Sequence, residues 1–140
     1  MAPSIRETYL AGEVLSATPQ KLQLMLIEAA IRLANQAREH WQAGQQAAGN
    51  ESLGNCQKIM VELLSGLRPD QMPELVARVA GVYMFVFRSL VAAQRDRDPR
   101  KVADAVQVLE VERETWRQVC LVLGQTSEPP QQYERLVLEA

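Results

Sequence analysis

Few residues of this 140-residue chain could do chemistry: one histidine, His40, and two cysteines, Cys56 and Cys120. A nucleophile needs a base within hydrogen-bond reach, and His40 has no recognisable partner in the sequence. A di-metal carboxylate site in a helical protein would need Glu-x-x-His. Glu39 directly precedes His40, which is the wrong spacing, and His40 reads as a surface residue. Cys56 and Cys120 stand in no metal or haem spacing. They read as small buried hydrophobes with reduced thiols, as in the cytoplasm, although the sequence leaves a disulfide between them open. Neither a P-loop nor a G-x-G-x-x-G fingerprint is present. Glu112 and Arg113 interrupt an apolar helix face and read as edge positions rather than a catalytic pair. The chain therefore points away from an enzyme, and no metal or cofactor is expected.

The elements that position these residues are helical. No strand-like alternation stands out, and four segments carry helical periodicity. The first runs from about Pro19 to Ala43, with Leu22, Leu26, Ala29, Leu33 and Ala37 on one face. Leu24, Ile27, Ile31 and Ala34 form a second stripe beside it. Gly44 to Asn50 reads as a turn. The second helix runs from about Ser52 to Leu67, with Leu53, Cys56, Met60, Leu63 and Leu67 spaced 3, 4, 3, 4. Pro69 and Pro73 break the chain. The third, from about Pro73 to Arg95, carries Val76, Val79, Tyr83, Val86, Leu90 and Ala93. Asp98 caps the fourth, which starts at Pro99 and reaches about Leu123. Its inner face holds Val102, Val106, Leu109, Trp116, Cys120 and Leu123. Four similar helices with short connections predict an all-α, antiparallel four-helix bundle over 19–123, within one domain of 1–140. Residues 124–140 form a tail in which Pro129-Pro130 blocks continuation of the helix.

Composition narrows the partners. Apolar residues make up 47% and the net charge is −2, with no basic cluster, so nucleic acid is not an expected partner. The start of the chain lacks the basic beginning and continuous apolar run of a signal peptide. Leu75 to Ala93 approaches membrane-spanning length. It contains Arg78 and Arg88, and a central arginine costs roughly 2.5–3.5 kcal/mol on insertion scales. It reads as the buried helix of a soluble protein, without stable membrane insertion.

That third helix has more apolar width than a bundle needs. Ala77, Ala80, Met84, Phe87 and Val91 form a second stripe. Both stripes together span roughly 200°, whereas a core-facing stripe of little more than 100° suffices. Val108, Val111, Val119 and Val122 widen the fourth helix likewise, and Phe85 falls on a polar strip with Arg78 and Ser89. The excess packs against the chain's own ends, or in a homodimer, or it forms a groove for a partner's amphipathic helix. Periodicity alone leaves these readings open.

A further apolar cluster precedes the first helix in "YLAGEVLSATPQKL", where Tyr9, Leu10, Val14 and Leu15 lie before the Thr18 cap. This stretch resembles the opening of the flagellar secretion chaperones, the FliS family. Their pattern is a tyrosine, an apolar residue five on, Thr/Ser-Ala-Ser/Thr-Pro, then L-x-x-M-L. Tyr9, Val14, Ser16-Ala17-Thr18-Pro19, Leu22, Met25 and Leu26 match. In "VYMFVFRSLVAAQRDRD", Tyr83, Arg88, Leu90, Ala93 and Asp98 match a second family motif, and "ERETWRQ" resembles its closing R-x-A-W. The likeness covers about Tyr9 to Val119. Departures are visible as well. Ile27-Glu28-Ala29 replaces an aromatic-Asp-Gly, Tyr83-Met84-Phe85 replaces Tyr-Asp-Tyr, Ser89 replaces an arginine and Gln94 an asparagine.

The resemblance implies a cytoplasmic helical-bundle chaperone that binds the C-terminal region of flagellin and blocks its premature polymerisation. The loaded complex would be delivered to a component of the flagellar export gate, and no cofactor would be used. Client-binding residues are then expected at Met84, Phe87, Val91, Tyr83, Ile27, Ile31, Val108 and Val111. Residues 1–17, through Ile5, Tyr9, Leu10 and Val14, are expected to plug the unloaded surface and to take part in docking at the export gate. The rival is a helical interaction module that homodimerises through the same faces.

Overall fold

The structure is a computed structural model, and it describes residues 18–68, 70 and 72–124. These form four helices and no strand: α1 Pro19–Gln42, α2 Gln46–Ser65, α3 Pro73–Asp96 and α4 Pro99–Gly124. The starts of α1 and α4 have a local cause. Thr18 is extended and its hydroxyl accepts from the Lys21 amide at 3.2 Å, while Pro19 takes the first turn. At α4 the Arg100 amide donates to the Asp98 carboxylate at 2.9 Å. Arg97, in the left-handed region at φ 51°, ends α3, and the Asp98 amide then reaches back to the Ala93 carbonyl.

Helix α2 starts six residues before the expected Ser52. The turn after α1 needs only Gly44, whose φ of +78° is the left-handed conformation glycine adopts freely. Gly49, expected in that turn, lies inside the first turns of α2. A side chain there would run into the Trp41 indole and come within 2.9 Å of the Ala37 carbonyl oxygen. The indole in turn donates to Asn50 Oδ1 at 3.1 Å. This glycine therefore serves close helix approach rather than chain reversal.

Helix α1 packs on α2 and α4, and α3 packs on the same two, so the helices form a closed ring of neighbours. The core takes residues from all four, among them Ile27, Ala34, Leu53, Met60, Val86, Leu90, Val102 and Leu109. On α1 the second stripe, Leu24, Ile27, Ile31 and Ala34, is the buried one, together with Ala30 and Ala37. Leu22, Leu26, Ala29 and Leu33 are only half-buried. The small side chains at 30, 34 and 37 explain this, since they let α2 come close and draw that face inward. Cys56 uses the proximity, its thiol donating to the Ala30 carbonyl at 3.2 Å. Burial pushes this thiol up to about 12. Both cysteines are free, so the disulfide that the sequence left open is not formed.

Helix α3 is, among the described residues, the one helix long and apolar enough to cross a membrane. The expectation of a buried helix needs correction in degree. Only Tyr83, Val86, Leu90 and Ala93 are buried, because a ring of four helices covers one side of each member. The N-terminal segment and the 125–140 tail lie outside the described residues.

Candidate functional site

The outer side of α3 is where apolar surface and a concavity coincide. Gly81, Met84, Phe85, Arg88, Ser89 and Ala92 line an open groove of about 630 Å³, closed on one edge by Lys101 and Asp104 of α4. Gly81, Phe85, Arg88 and Ala92 recur at spacing 4, 3, 4, so they share one helix face. Gly81 leaves the floor open, with no atom within 4 Å of where a β-carbon would stand. Phe85 is 51% exposed. A second depression of about 460 Å³ lies at the start of α3, formed by Met72, Pro73, Glu74, Leu75 and Arg78. Exposed apolar side chains beside an open concavity are the kind of surface that interaction sites use.

The charges at the groove differ in their freedom. Lys101 is committed to Asp96 at 2.5 Å, and Arg95 holds the other side of that carboxylate at 3.0 Å. Hydrogen bonds from Arg95 first, and then from Lys101, hold the Asp96 carboxyl well below the usual carboxylate range. Arg88 is exposed on the groove, available to an acidic group on a partner.

The expected client-binding residues divide. Met84 lines the groove, while Val91 and Val111 are exposed. Phe87 and Val108 are half-buried and pack against the core. Tyr83, Ile27 and Ile31 lie in the core and offer no surface in this state. The same 3.6-residue period serves a core and a groove, so spacing could not separate them. Ile5, Tyr9, Leu10 and Val14 lie outside the described residues. Sequence reasoning missed the outer row at 81, 85, 88 and 92 as a lining. Its signal was an aromatic sharing a supposedly solvated face with a glycine and an alanine.

Beneath the groove, Tyr83 connects three helices. Gln23 of α1 donates to its hydroxyl. Burial is the main cause that pushes the phenol upward, and the nearby Glu112 carboxylate adds to it. Glu112 and Arg113 are themselves half-buried, as positions at the edge of a helix face are. Burial raises the Glu112 carboxyl, and the Arg113 Nε is buried without a hydrogen-bond partner. His40, also half-buried, places its Nδ1 2.9 Å from the Gln45 side-chain oxygen. Among the described residues, no group of three or more His, Cys, Asp or Glu could hold a metal ion.

Comparison with known proteins follows the same lines. A flagellar secretion chaperone, FliS, from Vibrio cholerae serotype O1 is 23% identical over 108 residues, covering 77% of this chain and 79% of the relative. The sequence profile of the family described as flagellar protein FliS matches residues 1–122. A match of that extent takes in all but the last residues of the four helices, and the chain belongs to the FliS family.

Proposed function

We propose that this protein is a cytoplasmic flagellar export chaperone, built as an antiparallel four-helix bundle, that holds the C-terminal region of flagellin. Holding that region keeps flagellin from premature polymerisation, and the loaded complex is delivered to the flagellar export gate. Family membership and the name of the Vibrio relative support the class. The observation that carries client binding is the outer side of α3. Phe85 and Val91 stand half in solvent beside an open groove, where a monomeric helix would ordinarily be polar. A client that folds on binding loses roughly 2–5 kcal/mol in ordering and needs wide apolar contact in return.

In this reading Met84, Phe87, Val91, Val108 and Val111 meet the client, and Tyr83, Ile27 and Ile31 support them from the core. Methionine suits the task because its flexible thioether adapts to an irregular ligand. The function is binding alone and uses no catalytic group or cofactor. Residues 1–17 cover the apolar surface until a client arrives, and Ile5, Tyr9, Leu10 and Val14 then serve docking at the gate. Mixing the purified protein with the C-terminal region of flagellin from its own organism tests the reading. The expected result is a 1:1 heterodimer on size-exclusion chromatography. A chain that remains a homodimer and ignores the peptide overturns it in favour of a self-associating module.

A further inference from the structure

The two depressions on α3 are parts of one strip. Glu74, Arg78, Gly81, Phe85, Arg88 and Ala92 recur at spacing 4, 3, 4, 3, 4, the repeat of a helix–helix seam. All but Ala92 are exposed. Glu74 and Arg78 line the smaller depression, and the other four line the larger groove. The strip runs for about 27 Å, five helical turns. Tyr83, Val86, Leu90 and Ala93 face the core instead. Its relief suits a helix laid along it. Gly81 leaves a hole with no atom within 4 Å of its missing β-carbon, and Phe85, one turn on, stands out as a knob.

Charge decides which helix. Arg78 and Arg88 are in no ion pair among the described residues, and their backbones stand about 15 Å apart along the axis. Glu74 lies outside this pair at one end of the strip. Asp104 lies outside it at the other, on the α4 edge one turn past Lys101, which is tied to Asp96. The order along the strip is therefore anion, cation, cation, anion. A second copy laid antiparallel over the full strip would set Arg78 against Arg88, and Glu74 against the Asp104 end. A parallel copy would set each arginine against its own counterpart. Like charges meet in both arrangements, which disfavours self-pairing. Two carboxylates at the spacing of the arginines would instead fix register and exclude other partners.

We propose that the outer strip of α3 selects its occupant by charge: an amphipathic helix of the client, about five turns long, with two carboxylates about ten residues apart that meet Arg78 and Arg88. Between them the helix places a bulky apolar side chain over Gly81 and a small one against Phe85. This rests on the reading of the flagellin C-terminal region as the client, and it names what the surface reads in that client. Arg78 and Arg88 are specificity residues, and their long apolar stems also cover part of the seam.

Calorimetric titration of the full chain with the flagellin C-terminal peptide, at low and high salt, tests the selection. Arg78→Gln and Arg88→Gln should each weaken binding about threefold at low salt, the effect of an exposed ion pair. The loss should shrink as salt screens the charges. Melting temperature should hold, because both side chains are exposed. Lysine replacements of the peptide's acidic residues, one at a time, should identify two positions about ten residues apart. A lysine at one should bind Arg78→Glu better than the parent chain, and a lysine at the other should do the same for Arg88→Glu. Equal affinity of the parent chain and both glutamine variants overturns the charge selection and leaves the client reading standing. If the parent chain ignores the flagellin peptide, the client reading fails, and a designed helix with Glu-x-x-Ala-x-x-x-Leu-x-x-Glu along one face tests the strip alone. Preference for that helix over its Lys-for-Glu counterpart, lost in the glutamine variants, supports the charge selection. Equal binding of both helices, or of neither, overturns it. So does sedimentation that finds the unloaded chain dimeric and Phe85→Ala monomeric, since a second copy then occupies the strip.

Discussion

Helices α1 and α3 are both 24 residues long, yet α1 buries eight residues and α3 only four. The difference does not follow apolar content, because α3 is the helix apolar enough to pass for a membrane span. It follows side-chain size and placement. Ala30, Ala34 and Ala37 bring α1 close against its neighbours, and Cys56 reaches the α1 backbone across that contact. On α3 the large side chains Met84, Phe85, Phe87 and Val91 stand outside the buried set. Helix α1 is therefore a structural element and α3 a surface with a core edge. Apolar residues that stand outside their own core are available to an interface.

The largest effect that sharpens this contrast is in stability. Ile27→Ala on α1 removes a fully buried side chain and should cost about 2–5 kcal/mol in urea unfolding. Phe85→Ala on α3 removes a larger side chain that is half in solvent, and should change stability by less than about 0.5 kcal/mol. Equal losses would mean that α3 is as structural as α1.

Binding should show the opposite order. Phe85→Asp or Met84→Asp should weaken the flagellin peptide at least about tenfold, some 1.4 kcal/mol, with little change in melting temperature. A buried charge would unfold the protein instead, so melting beside titration decides between groove and core.

Much of the fold was legible because helical period and caps are local. Thr18, Pro19, Asp98 and Pro99 set the helix starts that their chemistry predicts. The α2 start was misread because Gly49 looks like a turn residue in sequence and answers instead to the Trp41 ring, a contact eight positions away. The candidate site was legible only in part. Tyr83 shares a period with Val86 and Leu90, so its core position could not be told from a groove position by spacing. The outer row at Gly81, Phe85, Arg88 and Ala92 needs the groove edge from α4 before it reads as a lining. Resemblance to the family carried what periodicity could not, and that resemblance is now membership.

A smaller effect tests the join between the two helices. Tyr83 of α3 accepts from Gln23 of α1, so Tyr83→Phe should cost about 1 kcal/mol. Its phenol is held above the ordinary value, mainly by burial. The unfolded chain therefore gives up this proton first as pH rises above about 10. Wild-type stability should fall with pH from there, and the phenylalanine variant should lack that share of the slope. A slope identical in both chains would show that Tyr83 does not titrate between the helices.

The smallest expected effect concerns Glu112, the carboxylate facing Tyr83 from α4. Burial raises its pKa, so the folded chain binds its proton more tightly than the unfolded one. Folded and unfolded states hold equal charge there at strong acid, below the ordinary glutamate value near 4.3. As pH rises from that value through the raised folded value, the unfolded state ionises first and stability is lost. At neutral pH the full penalty remains, reduced by the half-open position of the side chain. Glu112→Gln removes it. The variant should melt slightly higher than wild type at pH 7, and the gain should shrink as pH falls towards 4. The same change should also lessen the upward pressure on the Tyr83 phenol, so the loss of stability above about pH 10 should start at the same pH and be smaller in total. A gain that is equal at pH 4 and pH 7 would assign the effect to packing at position 112 and not to the buried charge.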